Sequence, residues 1–250
     1  MTELVELRLP TGDVLRGDFR AGSDRTVVYV HGFGSHRRGE KALALAKECG
    51  CRGWTFAAFD FRGHGTSSGR ISDLTTSRLL EDLAAIHDFL AARGCPRIGL
   101  IGSSMGGFAA AWYAVRHPEP VTGCVLLAPA FRFLERRVTE LTQGEFDEWR
   151  RTGVRQLQSE WVDVEIGYGL VEERAAFDPA ELARRWQTPV LIYHGLADNV
   201  VPIADCLAFV DATMCPEVEL RLLKSGDHRL TAFKEEIVGE VCRFFERLPG

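Results

Sequence analysis

The sequence lacks a long hydrophobic run, a basic tract and a recognisable secretion signal. No apolar stretch approaches the roughly 20 residues that a membrane-spanning helix requires. The formal net charge is −5 and the basic residues form no long run, which argues against nucleic acid as a partner. The N-terminal segment "MTELVELRLP" carries acidic residues and no apolar core, unlike a signal peptide. We therefore expect a cytoplasmic protein that does not insert stably into membranes.

The seven cysteines give neither a disulfide framework nor a metal site. Their number is odd and they are scattered through predicted helices and strands. Cys49 and Cys51 lie one residue apart, but no second pair of ligands is near them in the sequence. We expect reduced thiols and no bound metal.

Strands and helices alternate along the chain from Thr26 onward. The segment "TVVYV" (Thr26–Val30) is a continuous β-branched run, typical of a strand buried on both faces. "KALALAKECG" predicts a helix that ends at Gly50, and "SRLLEDLAAIHDFLAARG" predicts an amphipathic helix closed by Gly94. The alternation predicts one α/β domain over residues 1–250, with a mostly parallel sheet of about eight strands covered by helices on both faces.

The alternation breaks over residues 131–186, a charged segment with aromatic residues between two core strands. We expect it to be a small lid or cap above the carboxyl edge of the sheet, where ligands bind in open α/β folds. Partial helicity and a hairpin around Trp161–Tyr168 are predicted within it. A solvated connector is the alternative.

Two sets of side chains in this segment each have two interpretations. The aromatic residues line an acyl pocket or form the core of the lid itself: Phe131, Phe133, Trp149, Trp161 and Tyr168. The arginines form a basic rim that favours an anionic leaving group, or a solvated helix face: Arg132, Arg136, Arg137, Arg150, Arg151 and Arg155. Because the segment is charged, it favours short to medium acyl chains over long ones.

The stretch "IGSSMGGF" contains a candidate nucleophile, Ser104. A nucleophile elbow requires Gly-x-Ser-x-Gly between a strand and a helix, because the turn leaves no room for a Cβ two residues before and after the serine. Gly102 and Gly106 occupy those positions around Ser104. Around Ser103 the same positions hold an isoleucine and a methionine, so Ser103 is the spacer.

A serine nucleophile needs a base to take its proton and an acid to orient that base. His228 lies in "KSGDHRL", after the last predicted strand, and Asp198 lies in "HGLADNVVP", after the preceding one. The order Ser104, Asp198, His228 is the chain order expected of this architecture. Asp227 is the rival acid, although a neighbouring residue seldom reaches round to the adjacent ring.

The developing oxyanion needs backbone donors. We expect one from the Met105 N–H, at the start of a helix, and one by position from the Phe33 N–H in "VHGFGSHRRG". His31 is expected to brace that loop.

Five segments together resemble the α/β-hydrolase superfamily over nearly the whole chain: "VHGFGSHRRGEKALALA", "FDFRGHGTSSG", "GSSMGGF", "HGLADNVVP" and "SGDHRL". Within it, "KALALA", "SSMGG" and "DHR" are similar to the serine esterases grouped with a mitochondrial abhydrolase that acts as a palmitoyl-protein thioesterase and acyl-glucuronide esterase, and to bacterial carboxylesterases. The resemblance implies ester or thioester hydrolysis without a cofactor, with Ser104 as nucleophile, Asp198 as acid, His228 as base, and Phe33 and Met105 as oxyanion donors.

The expected partner is a small-molecule ester, and nothing in the sequence indicates an oligomeric state. Thioester hydrolysis is the main alternative. A peptidase or transferase that uses the same three residues is another, and a non-catalytic protein that only binds a ligand is the last.

Overall fold

The computed structural model describes residues 2–22, 25–158 and 162–249 and is built around an eight-stranded sheet. The strands, in chain order, are β1 (Glu3–Arg8), β2 (Val14–Arg20), β3 (Thr26–Val30), β4 (Thr55–Phe59), β5 (Ile98–Ser103), β6 (Val121–Leu127), β7 (Val154–Gln158), β8 (Asp163–Gly167), β9 (Val190–Gly195) and β10 (Val218–Leu223). The main sheet has the order β1-β2-β4-β3-β5-β6-β9-β10, and β7 and β8 form a separate hairpin. The β1–β2 and β2–β4 pairs are antiparallel, and the other pairs of the main sheet are parallel.

Helices cover both faces of this sheet. In chain order they are α1 (Glu40–Cys51), α2 (Thr76–Ala91), α3 (Met105–Arg116), α4 (Phe133–Thr139), α5 (Gln143–Thr152), α6 (Gly169–Glu172), α7 (Pro179–Arg185), α8 (Ile203–Ala212) and α9 (Lys234–Glu246). Helices α1 and α9 share one hydrophobic core with the sheet, and α2, α3 and α8 share the core on the opposite face. The predicted α/β fold with a mostly parallel sheet of eight strands is confirmed.

Burial explains why the central strands are mostly apolar. All residues of β3, β4 and β5 are buried, because helices lie against both faces of the sheet there. Next to the edge strand β1, β2 alternates buried and half-buried residues. In the sheet, β3 lies between β4 and β5. The chain passes from β3 to β4 on one side and then crosses to β5 on the other, so the direction of the connections reverses between β3 and β5. Such a switch point opens a crevice at the carboxyl edge.

The end of α1 differs from the prediction. The helix continues through Gly50 to Cys51, and the glycine that ends it is Gly53, with φ +72°. The Trp54 N–H donates to the Cys49 carbonyl at 2.9 Å and the Gly53 N–H to the Gly50 carbonyl at 3.3 Å. This pair of bonds is a Schellman motif, which needs a left-handed residue after the last helical turn. The alternation of strands and helices implies a helix between β9 and β10 without giving its bounds, and the structure places α8 there.

The segment between β6 and β9 contains α4, α5, the β7–β8 hairpin, α6 and α7. The predicted hairpin is displaced, because its first strand, β7, precedes Trp161, which lies outside the described residues. Gly153, at φ +79°, ends α5, and the alternating "VRQLQ" then pairs with "DVEIG". The sequence prediction began the hairpin too late, because it did not recognise the alternating residues that form the first strand.

A buried ion pair joins the loops that follow β3 and β4. The Asp60 carboxylate accepts hydrogen bonds from the Arg37 N–H at 2.7 Å and the Thr66 N–H at 2.9 Å, and it pairs with the Arg37 guanidinium. Burial alone would raise the pKa of Asp60, but these amide bonds and the Arg37 charge hold it below its usual value. Arg37 also bonds Asp18 on β2 at 3.0 Å. The loop after β3 is therefore fixed to its neighbours.

We predict that Asp60→Asn lowers the free energy of unfolding by about 3–5 kcal/mol, because it leaves the buried Arg37 charge without its main partner. Urea denaturation followed by tryptophan fluorescence measures this. Asp73→Asn, in an exposed ion pair with Arg70, is the matched control and should change little. Equal losses in the two variants would contradict the prediction.

Candidate active site

Ser104 occupies a strained turn between β5 and α3. Its φ of 54° and ψ of −117° are unusual for a residue with a side chain. A Cβ on Gly102 would lie 2.4 Å from the Gly106 carbonyl oxygen, and one on Gly106 would lie 2.1 Å from the Val30 carbonyl oxygen. Both glycines are therefore required by close backbone contacts, as the motif predicts. The neighbouring Ser103 is buried and hydrogen-bonds the Tyr29 hydroxyl.

The structure brings Ser104, His228 and Asp198 together. His228 Nε2 lies 3.0 Å from Ser104 Oγ, and His228 Nδ1 lies 2.8 Å from Asp198 Oδ2. The rival carboxylate, Asp227, instead accepts the Leu230 N–H at 2.8 Å. Of the two acids considered, Asp198 is the one that contacts the imidazole of His228.

Asp198 is held as a carboxylate. Burial would raise its pKa, but the hydrogen bond from His228 and the amides of Val201 and Val200, each 2.8 Å from Oδ1, lower it below the usual value. An ionised carboxylate next to Nδ1 keeps the proton on that nitrogen and leaves Nε2 free to accept one from the serine.

Backbone contacts lock the loop of Asp198 to the loop of His228. The Ala197 N–H donates to the Gly226 carbonyl at 3.0 Å. A Cβ on Gly195 would lie 2.0 Å from that same oxygen, so only glycine allows the loops to approach this closely. The separation of acid and base is therefore set by main-chain packing.

The sequence did not predict a role for His194, whose ring lies against the Asp198 carboxylate. His194 Nε2 lies 3.6 Å from Asp198 Oδ2 and 2.9 Å from the Val201 carbonyl, and Nδ1 lies 3.2 Å from Cys206 Sγ. Burial lowers the pKa of His194, so the ring is neutral. With a carbonyl acceptor at Nε2, the proton sits there and Nδ1 accepts the Cys206 thiol. The signal in the sequence was the four-residue spacing to Asp198.

The two predicted oxyanion donors belong to segments that lie next to Ser104. Met105 is the first residue of α3, where N–H groups have no acceptor within the helix. The Phe33 N–H donates to no backbone carbonyl within the described ranges. A Cβ on Gly32, the residue before Phe33, would lie 3.4 Å from Ser104 Cβ. The loop after β3 therefore runs beside the nucleophile.

His31 braces that loop, as expected. Its Nε2 accepts the Phe61 N–H at 3.1 Å, so Nδ1 carries the proton and donates to the Gly32 carbonyl at 2.8 Å. Burial, reinforced by the proximity of His64, lowers the pKa of His31 to about 3. The ring stays neutral and links the loops after β3 and β4.

A pocket of about 390 Å³ opens at Ser104 and His228. Its lining combines apolar side chains with a set of charged and polar ones. The apolar residues include Phe33, Leu157, Val162 and Val200, and the cationic residues are Lys41, Arg137 and Arg229. Burial lowers the pKa of Lys41 to about 8, and its Nζ donates to the Arg229 carbonyl at 2.5 Å.

The aromatic residues of the segment 131–186 pack rather than line this pocket. Phe131 stacks on Phe209 at 4.4 Å, and Trp149 lies in a small core with its indole N–H 3.3 Å from the Ile166 carbonyl. Phe133 is buried and Tyr168 packs on Trp149. Trp161 lies outside the described residues. The interpretation of these rings as packing residues therefore fits the structure.

The arginines of the same segment do not act as one rim. Arg132 pairs with Glu135, Arg136 pairs with Asp205, and Arg150 and Arg151 are exposed. Only Arg137 of the predicted set lines the pocket as the structure describes it.

The described ranges contain neither a metal-binding cluster nor a membrane-spanning helix. No group of three or more His, Cys, Asp or Glu residues there is arranged to hold a metal ion. None of the helices described combines the length and apolarity that crossing a membrane requires.

Comparison with known proteins assigns the fold to a family. A family model described as "alpha/beta hydrolase fold" matches residues 25–178. The chain is 28% identical over 212 residues to the mitochondrial palmitoyl-protein thioesterase ABHD10 of Bos taurus, covering 84% of this chain and 68% of the bovine protein. The solved structure of alpha/beta hydrolase domain-containing protein 10 from mouse superposes with a TM-score of 0.87, at 25% identity, over 98% of this chain and 99% of the mouse chain.

A solved protein from Agrobacterium vitis S4 gives a TM-score of 0.85 at 28% identity over 98% of both chains. The fold and these relatives define a hydrolase. The chain belongs to the alpha/beta hydrolase fold family, and the resemblance seen in its motifs is confirmed. Because the bovine relative is named as mitochondrial, the cytoplasmic location stays a prediction.

We predict that the free energy of unfolding falls as the pH is lowered from 6.5 toward 3. The unfolded chain takes up a proton at His31 near pH 6.5, whereas the folded chain does so only near pH 3, so acid favours unfolding across that window. His31→Gln should flatten the dependence by up to about 1.4 kcal/mol per pH unit.

Urea denaturation between pH 8.5 and 4 measures this slope. The range from pH 7.5 to 8.5 is the internal control, where His31 is neutral in both states and the two proteins should show the same slope. An unchanged acid slope in His31→Gln would contradict the assignment.

Proposed function

We propose that the protein is a serine hydrolase that cleaves carboxylic esters of short to medium acyl chains through an acyl-enzyme intermediate. The observation that carries this proposal is the continuous hydrogen-bond chain from Ser104 through His228 to Asp198 at the pocket wall. A serine hydroxyl at its ordinary pKa is a poor nucleophile, and this arrangement supplies the base and the orienting acid that it needs.

In the proposed mechanism, Ser104 Oγ attacks the ester carbonyl carbon while His228 Nε2 takes the hydroxyl proton. Asp198 stabilises the imidazolium that forms. The tetrahedral intermediate then breaks its C–O bond to the alcohol, which leaves with the proton from His228. Water, deprotonated by the same imidazole, attacks the acyl-enzyme, and the carboxylic acid leaves as Ser104 regains its proton.

The oxyanion of each tetrahedral intermediate is bound by the amides of Phe33 and Met105. Two independent features support this assignment: Met105 starts a helix, and Phe33 lies in a loop braced by His31 and anchored at Arg37. Donors that are fixed before the reaction need no reorganisation as charge develops, and one such donor is typically worth a factor of about 100–1000 in kcat.

The segment 131–186 acts as a lid over this site. It supplies part of the pocket wall through Arg137, Leu157 and Val162. A wall that mixes apolar residues with a cation favours a short to medium acyl chain over a long one.

Thioester hydrolysis is the second candidate, because the bovine relative is named a palmitoyl-protein thioesterase. The same three residues would act in the same order, with a thiol as the leaving group in place of the alcohol. A peptidase would require His228 to protonate an amine, and a protein that only binds ligands would not use the serine covalently.

We predict that Ser104→Ala lowers kcat/KM for p-nitrophenyl butyrate by at least about a thousandfold, because no nucleophile remains. Labelling by a fluorophosphonate probe should be lost in the same variant. Ser103→Ala, at the spacer position, is the matched control and should keep both turnover and labelling. Near wild-type turnover in Ser104→Ala would overturn the assignment.

We predict that p-nitrophenyl butyrate and octanoate are cleaved with higher kcat/KM than the palmitate ester, because the lid is charged. Acyl-coenzyme A thioesters and aminoacyl anilides complete the panel. Preference for the thioesters would replace the ester proposal with the second candidate, and cleavage of anilides alone would indicate a peptidase. Absence of both turnover and labelling would leave a ligand-binding protein.

A further inference from the structure

Arg137 is a cation at the pocket that the proposed reaction does not use. It lies on α4 and lines the pocket together with Ser104 and His228. Its guanidinium carbon lies 5.5 Å from the ring centroid of Phe33 and 5.0 Å from that of Phe133. Contact with aromatic faces holds a planar guanidinium in place and leaves its N–H edges to bind a ligand.

This guanidinium forms no ion pair with a carboxylate in the part of the chain that the structure describes. Its Nε–H is buried there without a hydrogen-bond acceptor. The arginines beside it differ, since Arg132 pairs with Glu135 and Arg136 pairs with Asp205. Arg137 is half-buried, and a charge that is partly removed from water without a partner is costly, so such a group is normally paired.

The charges around Arg137 favour an anion. Burial lowers the pKa of Arg137, Glu140 partly counteracts this, and repulsion from Arg136 and Arg155 lowers it further. An anion placed against the guanidinium would relieve both the desolvation and the repulsion.

The pocket as a whole has the opposite charge to the chain. Lys41, Arg137 and Arg229 line it, whereas Glu40 is the one carboxylate among the described lining residues. The Glu40 side chain is largely exposed and lies 3.8 Å from Lys234 Nζ. Because the net charge of the chain is −5, this local excess of cations is specific to the pocket.

We propose that Arg137 binds an anionic group of the substrate, so that the substrate class is esters with a carboxylate on the acyl or the alcohol part. The fork of guanidinium N–H groups matches a carboxylate in two parallel hydrogen bonds. The inference rests on the proposed function, because binding of the anionic group is measured through ester hydrolysis at Ser104.

Two matched pairs of esters test this inference. The first pair, para-butyryloxybenzoate and para-butyryloxybenzamide, differs in charge on the alcohol part. The second pair, the p-nitrophenyl monoester of adipic acid and p-nitrophenyl hexanoate, differs in charge on the acyl part. The quantity measured is the ratio of kcat/KM for the charged ester to that for the neutral one, in wild type and variants.

We predict that Arg137→Gln lowers this ratio by on the order of tenfold to a hundredfold for at least one pair, as expected for a charge-assisted hydrogen bond. Turnover of the neutral esters is the internal reference in each variant, because these esters carry no carboxylate for the side chain at position 137 to bind. Arg137→Lys, which keeps the charge, should recover part of the ratio. Arg132→Gln removes an equal charge at the start of the same helix, outside the pocket lining, and should leave the ratio unchanged.

Competitive inhibition of p-nitrophenyl butyrate hydrolysis by para-hydroxybenzoate and by adipate gives a second measurement. Inhibition should weaken in Arg137→Gln and, to a smaller extent, in Arg137→Lys. If one of the two variants does not fold, the other still tests the inference. Ratios and inhibition that do not change in the Arg137 variants overturn the inference while the proposed function stands. An equal fall of this ratio in Arg132→Gln also overturns the inference. The preference for the charged ester would then come from the overall electrostatic field of the protein and not from binding at Arg137. Failure of wild type to hydrolyse any of these esters, charged or neutral, is instead a failure of the proposed function, and the inference falls with it.

Discussion

The contact between Gly106 and the Val30 carbonyl oxygen is the constraint on which the site depends. A Cβ at Gly106 would lie 2.1 Å from that oxygen, so the first turn of α3 lies directly against the end of β3. This approach brings the start of α3 to the switch point between β3 and β5. It also forces Ser104 into its strained turn and places the loop of Phe33 beside it. The conformation of Ser104 and the position of the loop that carries Phe33 thus have one common origin in backbone packing.

A second close approach, between Gly195 and Gly226, fixes the acid and the base relative to each other. Backbone amides donate to one oxygen of the Asp198 carboxylate, and His194 lies against the other. Cys206 in turn contacts the His194 ring. The imidazole of His228 is the half-exposed member of this set, since it must reach both the serine and the substrate. The residues that support Asp198 are therefore fixed by hydrogen bonds, whereas His228 stays accessible at the opening of the pocket.

Sequence reasoning predicted the parts of the site that local rules determine. The glycine frame identified Ser104 because a tight turn excludes Cβ atoms within a few residues. Chain order and loop position identified Asp198 and His228. Residues whose role depends on distant packing were not found: His194 supports Asp198 only once α8 is folded, and Arg137 differs from its neighbours only by the face of α4 that it occupies. The end of α1 was misplaced because two glycines, three residues apart, both fit a helix end.

The segment 131–186 leaves the sheet after β6 and returns at β9, and these two strands are hydrogen-bonded neighbours. Its length and sequence can therefore change without shifting the register of any strand that carries Ser104, Asp198 or His228. Lengthening a surface connection costs little conformational entropy, about 0.6 kcal/mol for each doubling. Selection can thus alter which molecules this scaffold accepts while the reacting groups stay in place, and divergence among relatives should be greatest in this segment.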